Sequence, residues 1–420
     1  MSEVCKNLCL RESKVKFDED PQFKAEAYRC VVQLQNFEPD IVKAWKMICD
    51  VSRKDFAEIY ERLGSSSLVE RGESFYQSRM QSVVQELEQA GVLCDDDGRK
   101  LFFPDGCNIP LTVVKSDGGF TYDTSDLATL KQRLFEERAD WVLYVVDRGQ
   151  SEHLEVPFLL RKKAVNILIL KTVFAAGLQL KWFEAEQKRV EHVQFGLVLG
   201  EDRKKFKTRS GDNVKLMDLL DEGVRRAEEK LRSKGREGEF TSEQFREVAE
   251  SVAYGCIRYA DMSQSRTGDY VFSFDRMLDD RGNTAVYLLY AYARIRSIAR
   301  NAQVTRDEID LYINGLTSDG VPLDDPREIK LAKQILKFSD VLLTVIEGLQ
   351  LNKICDYVYE LATMFHDFYK DCYVVSKVPV EEGEQTVTKV NFNRLVLCEV
   401  TADVMQRCFN ILGIRALERM

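Results

Sequence analysis

Apolar residues recur at helical spacing along most of this chain, and the places where they do not are what divide it. Between Phe37 and Tyr60 the positions Ile41, Ala44, Trp45, Ile48, Phe56, Ile59 and Tyr60 share one helix face, and Met80 to Ala90 continues the pattern. Residues 20–110 therefore read as helices ending in a short β excursion. Gly91-Val92-Leu93 and Leu101-Phe102-Phe103 flank the turn Asp95-Asp96-Asp97-Gly98-Arg99, which predicts a hairpin. The three aspartates read as a solvated turn in preference to a metal site.

From Thr112 to Leu220 the pattern changes to short apolar runs between helices. Trp141-Val142-Leu143-Tyr144-Val145-Val146 reads as a strand buried on both faces, and residues 193–199 as another. The stretch between them is long enough for a helical crossover, so a parallel βαβ unit is expected. Its strand ends would place Gln150, His153 and the 201–211 segment on one rim. After Asp221 the chain reads as helices almost to its end, with the charged segment 225–250 as a joint or an exposed helical hairpin. No internal repeat or low-complexity tract appears.

A length of 420 residues suggests roughly two or three domains. With 45% hydrophobic residues the chain can build real cores. It contains no apolar run of membrane-spanning length, and Met-Ser-Glu-Val-Cys-Lys lacks a signal-peptide core, so a cytoplasmic protein without membrane or DNA partners is expected. Eleven cysteines without a Cys-x-x-Cys pair read as reduced, buried thiols, and no metal site is expected. The net charge of -9 excludes a generally basic coat, leaving RNA contact to local surfaces. One such surface is residues 281–306, with Arg281, Arg294, Arg296, Arg300 and Arg306 and no acid among them.

The other is Glu201-Asp202-Arg203-Lys204-Lys205-Phe206-Lys207-Thr208-Arg209-Ser210-Gly211, between the apolar run at 193–200 and the helical pattern from Val214. Cations at a strand end can neutralise transferring phosphates. The loop resembles the signature loop of class I aminoacyl-tRNA synthetases in the Phe-Lys-Thr-Arg-Ser-Gly form of the arginyl-tRNA synthetases. Gly72-Glu73-Ser74-Phe75-Tyr76, the run Ser116 to Ala128, and Val190-Glu191-His192-Val193-Gln194-Phe195-Gly196 resemble that family's catalytic blocks. Asp269-Tyr270-Val271-Phe272-Ser273-Phe274-Asp275 with Leu278 to Asn283 resembles its junction to the anticodon-binding domain. The likeness runs from near Arg11 to Met420 and is nearest to the eukaryotic cytoplasmic type.

The resemblance implies an α/β plus all-α protein. The second half of a class I Rossmann-type catalytic domain with insertions (1–224) would be followed by a helical stem-contact or junction region (225–284) and an all-helical anticodon-binding domain (285–420). The implied reaction is activation of arginine by ATP, with Mg2+, and its transfer to tRNA(Arg). Other synthetases of a cytosolic complex are further implied partners. Tyr122, Asp126 and Gln150 match the arginine contacts, since a cationic substrate needs a carboxylate and aromatic cover. Lys205, Lys207 and Arg209 match the catalytic cations, and His192, Gly196 and Lys207 the ATP contacts. Tyr290, Arg294, Tyr369, Tyr373 and Met420 match the anticodon contacts, where single-stranded bases are read by stacking and by edge hydrogen bonds.

Two departures qualify this. The family's His-x-Gly-His element is absent, because His153, His192 and His366, the only three histidines, lie 39 (192−153) and 174 (366−192) positions apart. The first βαβ half of the family's fold is thus not represented, and the chain alone is expected to be inactive. Leu154–Lys171 is an atypical apolar insert, expected not to be an integral part of the sheet. A non-catalytic tRNA-binding or scaffold protein, or a subunit completed in trans, stand as alternatives.

Overall fold

The computed structural model describes residues 12–107, 109–146, 172–200, 202–204, 215–316, 320–379 and 386–420. The chain divides into two compact units, Met1–Gln194 and Phe195–Met420.

In the first unit, α1 (Pro21–Gln35) starts on Asp20, whose carboxylate accepts hydrogen bonds from the Gln22 and Phe23 amides at 2.8 and 3.2 Å. Helix α2 (Pro39–Arg62) follows the periodicity read from Phe37 to Tyr60, yet none of its side chains is buried. The core forms around α3 (Glu73–Gln89), where Tyr76, Met80, Val83 and Leu87 point inward. The predicted hairpin is present as β1 (Leu93–Asp96) and β2 (Arg99–Phe102), paired antiparallel with Asp96 opposite Arg99. Its turn is shorter than expected, because Asp97 (φ 51°) and Gly98 (φ 78°) both take the left-handed conformation of a two-residue turn. Asp95 and Asp96 therefore belong to the strand. Strand β3 (Leu111–Val114) adds to β2.

Helix α4 (Tyr122–Phe135) packs Leu127, Leu130 and Leu134 into the same core. The parallel unit is also present, with its second strand displaced. β4 (Trp141–Tyr144) pairs in parallel with β5 (Arg189–His192), and α5 (Thr172–Gln179) lies between them in sequence. The expected strand at 193–199 is thus corrected to 189–192. Arg189 and Glu191 hid it, but they form an ion pair with each other, and the Arg189 guanidinium lies 4.3 Å from the ring centroid of Trp141, its register partner. That pairing is what lets Glu191 be buried in a strand.

The second unit opens with β6 (Val198–Leu199), paired in parallel with β7 (Tyr270–Val271). Helices α6 (Leu216–Ser233) and α7 (Ser242–Met262) form the helical hairpin foreseen in the charged segment, and α6 runs unbroken through residue 224. Thr241 and Gln244 form a capping box at the start of α7. After the short α8 (Phe274–Met277), the bundle is built from α9 (Ala285–Ala302), α10 (Arg306–Asn314), α11 (Pro326–Leu336), α12 (Phe338–Gly348), α13 (Asn352–Asp371) and α14 (Phe392–Ile411). One antiparallel hairpin, β8 (Val375–Pro379) with β9 (Thr386–Val390), interrupts the helices. Leu288, Leu289, Ile295, Val358, Phe365, Met405 and Phe409 lie at the centre of its core.

The nine described cysteines are free thiols, five of them buried, and Cys94 is exposed. Burial pushes the Cys256 thiol up to about 12. No helix among the described residues is long and apolar enough to cross a membrane.

Candidate functional site

The first unit presents its candidate residues at the start of α4 and at the ends of the parallel strands. Ahead of α4, Gly118 (φ 80°) makes the turn that a side chain would strain, and the Gly119 amide donates to Asp117 Oδ1 at 2.9 Å. Thr121 and Thr124 cap the helix reciprocally, and buried Asp123 accepts from the Thr112 amide at 2.6 Å, tying the helix to β3. This leaves Tyr122 on the first turn with 72% of its surface exposed and Asp126 half-buried one turn on. The two share a face, as their spacing implies.

Tyr144 and His192 end their strands as register partners. His192 Nε2 lies 3.3 Å from the Val146 carbonyl, which fixes the ring at the strand end. Tyr144 was not singled out in the sequence. Its hydroxyl is buried without a hydrogen-bond partner among the described residues, and the Arg133 guanidinium lies 4.6 Å from its ring centroid. Burial pushes that hydroxyl well above its ordinary value, Arg133 opposes this, and the nearby Asp126 carboxylate adds to it. Tyr144 and His192 thus stand side by side at the C-terminal ends of the parallel strands. Gln150 and the insert Leu154–Lys171 lie outside the described residues.

In the second unit the cationic segment does follow a parallel strand. After β6, the Gly200 amide donates to the Lys204 carbonyl at 2.8 Å and the Arg203 amide to that of Gly200 at 2.9 Å. Lys205, Lys207 and Arg209 lie outside the described residues. Gly196 has a clear steric reason to be glycine. A Cβ there would sit 2.2 Å from the Gly268 carbonyl oxygen, and the Gly196 amide donates to the Arg266 carbonyl at 2.9 Å. The close approach is to this protein's own backbone.

The candidate anticodon residues are largely brought together. Tyr290 is exposed on α9, and one turn on Arg294 donates to its hydroxyl at 2.9 Å. The same guanidinium lies 4.9 Å from the Tyr290 ring centroid and 5.5 Å from that of Tyr369 on α13. Tyr369 stacks on buried Phe365 at 6.0 Å and 21°. Tyr373 is 69% exposed, and its carbonyl accepts from Arg394 at 3.0 Å. Met420 is held elsewhere, packed against the bundle core with its carbonyl accepting from Arg236. The arginine stretch is less open than its sequence suggests. Arg296 pairs with buried Glu399 at 2.9 Å, and Arg306 with Asp310 and Asp403 at 3.5 and 3.9 Å, while Arg281 and Arg300 stay exposed.

A family model described as tRNA synthetases class I (R), catalytic domain, matches residues 6–274, and one described as DALR anticodon binding domain matches residues 288–420. The cytoplasmic arginine–tRNA ligase of Xenopus tropicalis is 52% identical over 410 residues, covering 98% of this chain and 59% of that protein. A probable cytoplasmic arginine–tRNA ligase of Caenorhabditis elegans is 54% identical over 412 residues, covering 98% of this chain and 54% of that protein. The chain therefore spans little more than half the length of these relatives. The crystal structure of arginyl-tRNA synthetase from Plasmodium falciparum superposes with a TM-score of 0.76 at 28% identity, covering 96% of this chain and 65% of that one. With a catalytic-domain match over residues 6–274 and an anticodon-domain match over residues 288–420, the chain belongs to the class I arginyl-tRNA synthetase family.

Proposed function

We propose that this chain supplies part of the machinery for arginine–tRNA ligation and is inactive alone; in that reaction the arginine carboxylate attacks the α-phosphorus of ATP with loss of pyrophosphate. A terminal ribose hydroxyl of tRNA(Arg) then attacks the arginyl carbonyl and AMP leaves. The observation that carries the reading is the presence of both modules, in family order, at 52% identity over 98% of the chain.

Each residue's part follows from its chemistry. Tyr122 covers the substrate guanidinium and Asp126 neutralises it, with Gln150 as a further polar contact. His192 and Gly196 border the adenosine. Lys205, Lys207 and Arg209 stabilise the charge that develops on the phosphates, and Mg2+ enters with ATP as its counter-ion. Tyr290, Arg294, Tyr369 and Tyr373 stack on and steady the anticodon bases. The names of the relatives place those proteins in the cytoplasm, and this chain is assigned there with them.

The test is binding of the 420-residue chain to tRNA(Arg) and to the same tRNA altered only at the anticodon. Clear preference for the first is expected, and equal affinity for both would overturn the anticodon assignment. A non-catalytic or trans-completed role is favoured by one observation. Trp141, Leu143 and Val145 are exposed on one face of the β4 segment, although parallel sheets are ordinarily covered on both faces.

A further inference from the structure

We propose that His366, acting through Tyr287, is a positioning residue for the Tyr290–Arg294–Tyr369 surface. The inference rests on the reading of that surface as the anticodon contact and adds to it the element that holds its two helices in register. The Tyr287 hydroxyl on α9 and His366 Nδ1 on α13 are 2.7 Å apart, and their rings meet edge to face at 5.1 Å. Both residues are half-buried, below the exposed cluster.

The spacing links this half-buried rung to the exposed one. Tyr290 follows Tyr287 by three positions, and Tyr369 follows His366 by three, so each half-buried partner lies one turn before an exposed aromatic on the same helix face. Arg294 closes the upper rung, bonded to Tyr290 and lying 5.5 Å from the ring of Tyr369. A hydrogen bond is directional and short in range, whereas the apolar packing around Phe365 tolerates sliding of one helix along the other. The Tyr287–His366 bond therefore sets the axial offset of α9 against α13, and that offset sets the gap in which Arg294 spans the two tyrosines.

The charged groups around the ring favour its neutral form. Burial holds His366 below its ordinary value, Arg294 on α9 does so as well, and Asp367 on its own helix opposes them. A neutral ring leaves one nitrogen free to accept the Tyr287 proton.

The experiment measures binding of the full chain to tRNA(Arg) and to an anticodon-altered tRNA, each across a salt titration, for the wild type and the variants Tyr287→Phe, His366→Ala, His366→Gln and Tyr369→Ala. Tyr287→Phe and His366→Ala should each lower affinity for tRNA(Arg) by about two- to tenfold, the range one hydrogen bond supplies. Affinity for the altered tRNA and the salt slope should stay unchanged, because no phosphate contact is lost. The double variant should be no worse than either single one, as for two ends of one bond. His366→Gln, whose amide can still accept, should recover part of the loss. Should His366→Ala fail to fold, the near-isosteric Tyr287→Phe decides alone. Equal losses for both RNAs would reduce the pair to a structural role and overturn the proposal. Intact discrimination in Tyr287→Phe, alongside its loss in Tyr369→Ala, would overturn the role of His366 while leaving the anticodon reading in place. Absence of discrimination in the wild type would overturn both.

Discussion

Tyr369 carries the sharpest expectation for a single side chain, because it is partly exposed, stacked from below by Phe365 and bordered by a guanidinium. Replacing it with alanine should weaken binding of tRNA(Arg) by about 1–3 kcal/mol, the worth of one stacked base, with the salt slope unaltered. Arg294→Ala should do more than remove a charge. It also frees Tyr290 and Tyr369, so both the slope and the anticodon preference should fall in a salt titration. Gly196 offers a test of the fold. A methyl group 2.2 Å from a carbonyl oxygen forces backbone to move, so Gly196→Ala should destabilise the second unit by about 1–3 kcal/mol, visible as a lowered Tm. His366 gives the pH dependence. Its folded value lies below the ordinary 6.5, so the unfolded chain takes up the proton first. Its contribution is complete above about 6.5 and is lost as pH falls below it, so the Tm of the wild type should drop there more steeply than that of His366→Gln.

Among the elements, α9 shows how a local signal and a distant contact combine. Thr284 caps it, accepting from the Tyr287 amide at 3.2 Å and donating to the Asp279 carbonyl at 2.7 Å. Thr284→Ala should cost about 1 kcal/mol in a denaturant titration and Thr284→Ser much less. Because Tyr287 lies on the first turn, fraying there should also weaken discrimination between the two tRNAs. Along α9, Leu289, Ala293 and Ile295 turn inward and are buried. Periodicity failed at β5, whose Arg189 and Glu191 look like surface residues until each is given its partner, and at β8 and β9, which the reading of continuous helices passed over. It succeeded at α2, whose apolar stripe is present with Ile41, Trp45 and Ile59 half-buried and none fully buried.

For the whole molecule, the strongest expectation comes from what 420 residues contain. Without a His-x-Gly-His element among them, the purified chain should show no ATP–pyrophosphate exchange with arginine and tRNA(Arg), since each missing phosphate contact is worth about 100-fold or more. Exchange at a rate typical of synthetases would refute this. The family, the order of its modules, the α4 spacing of Tyr122 and Asp126 and the face shared by Tyr290 and Arg294 were all legible in the sequence, because motifs and helical periods are local properties of a chain. Tertiary structure alone decided which of those residues are free to act. Arg296 is taken up by Glu399, 103 positions away; Gly196 is required by the backbone at Gly268; and Tyr144 and His366 acquire meaning only through neighbours on other elements. Such partners are brought together by packing, and the free energy of packing is not written in the spacing of residues along one segment.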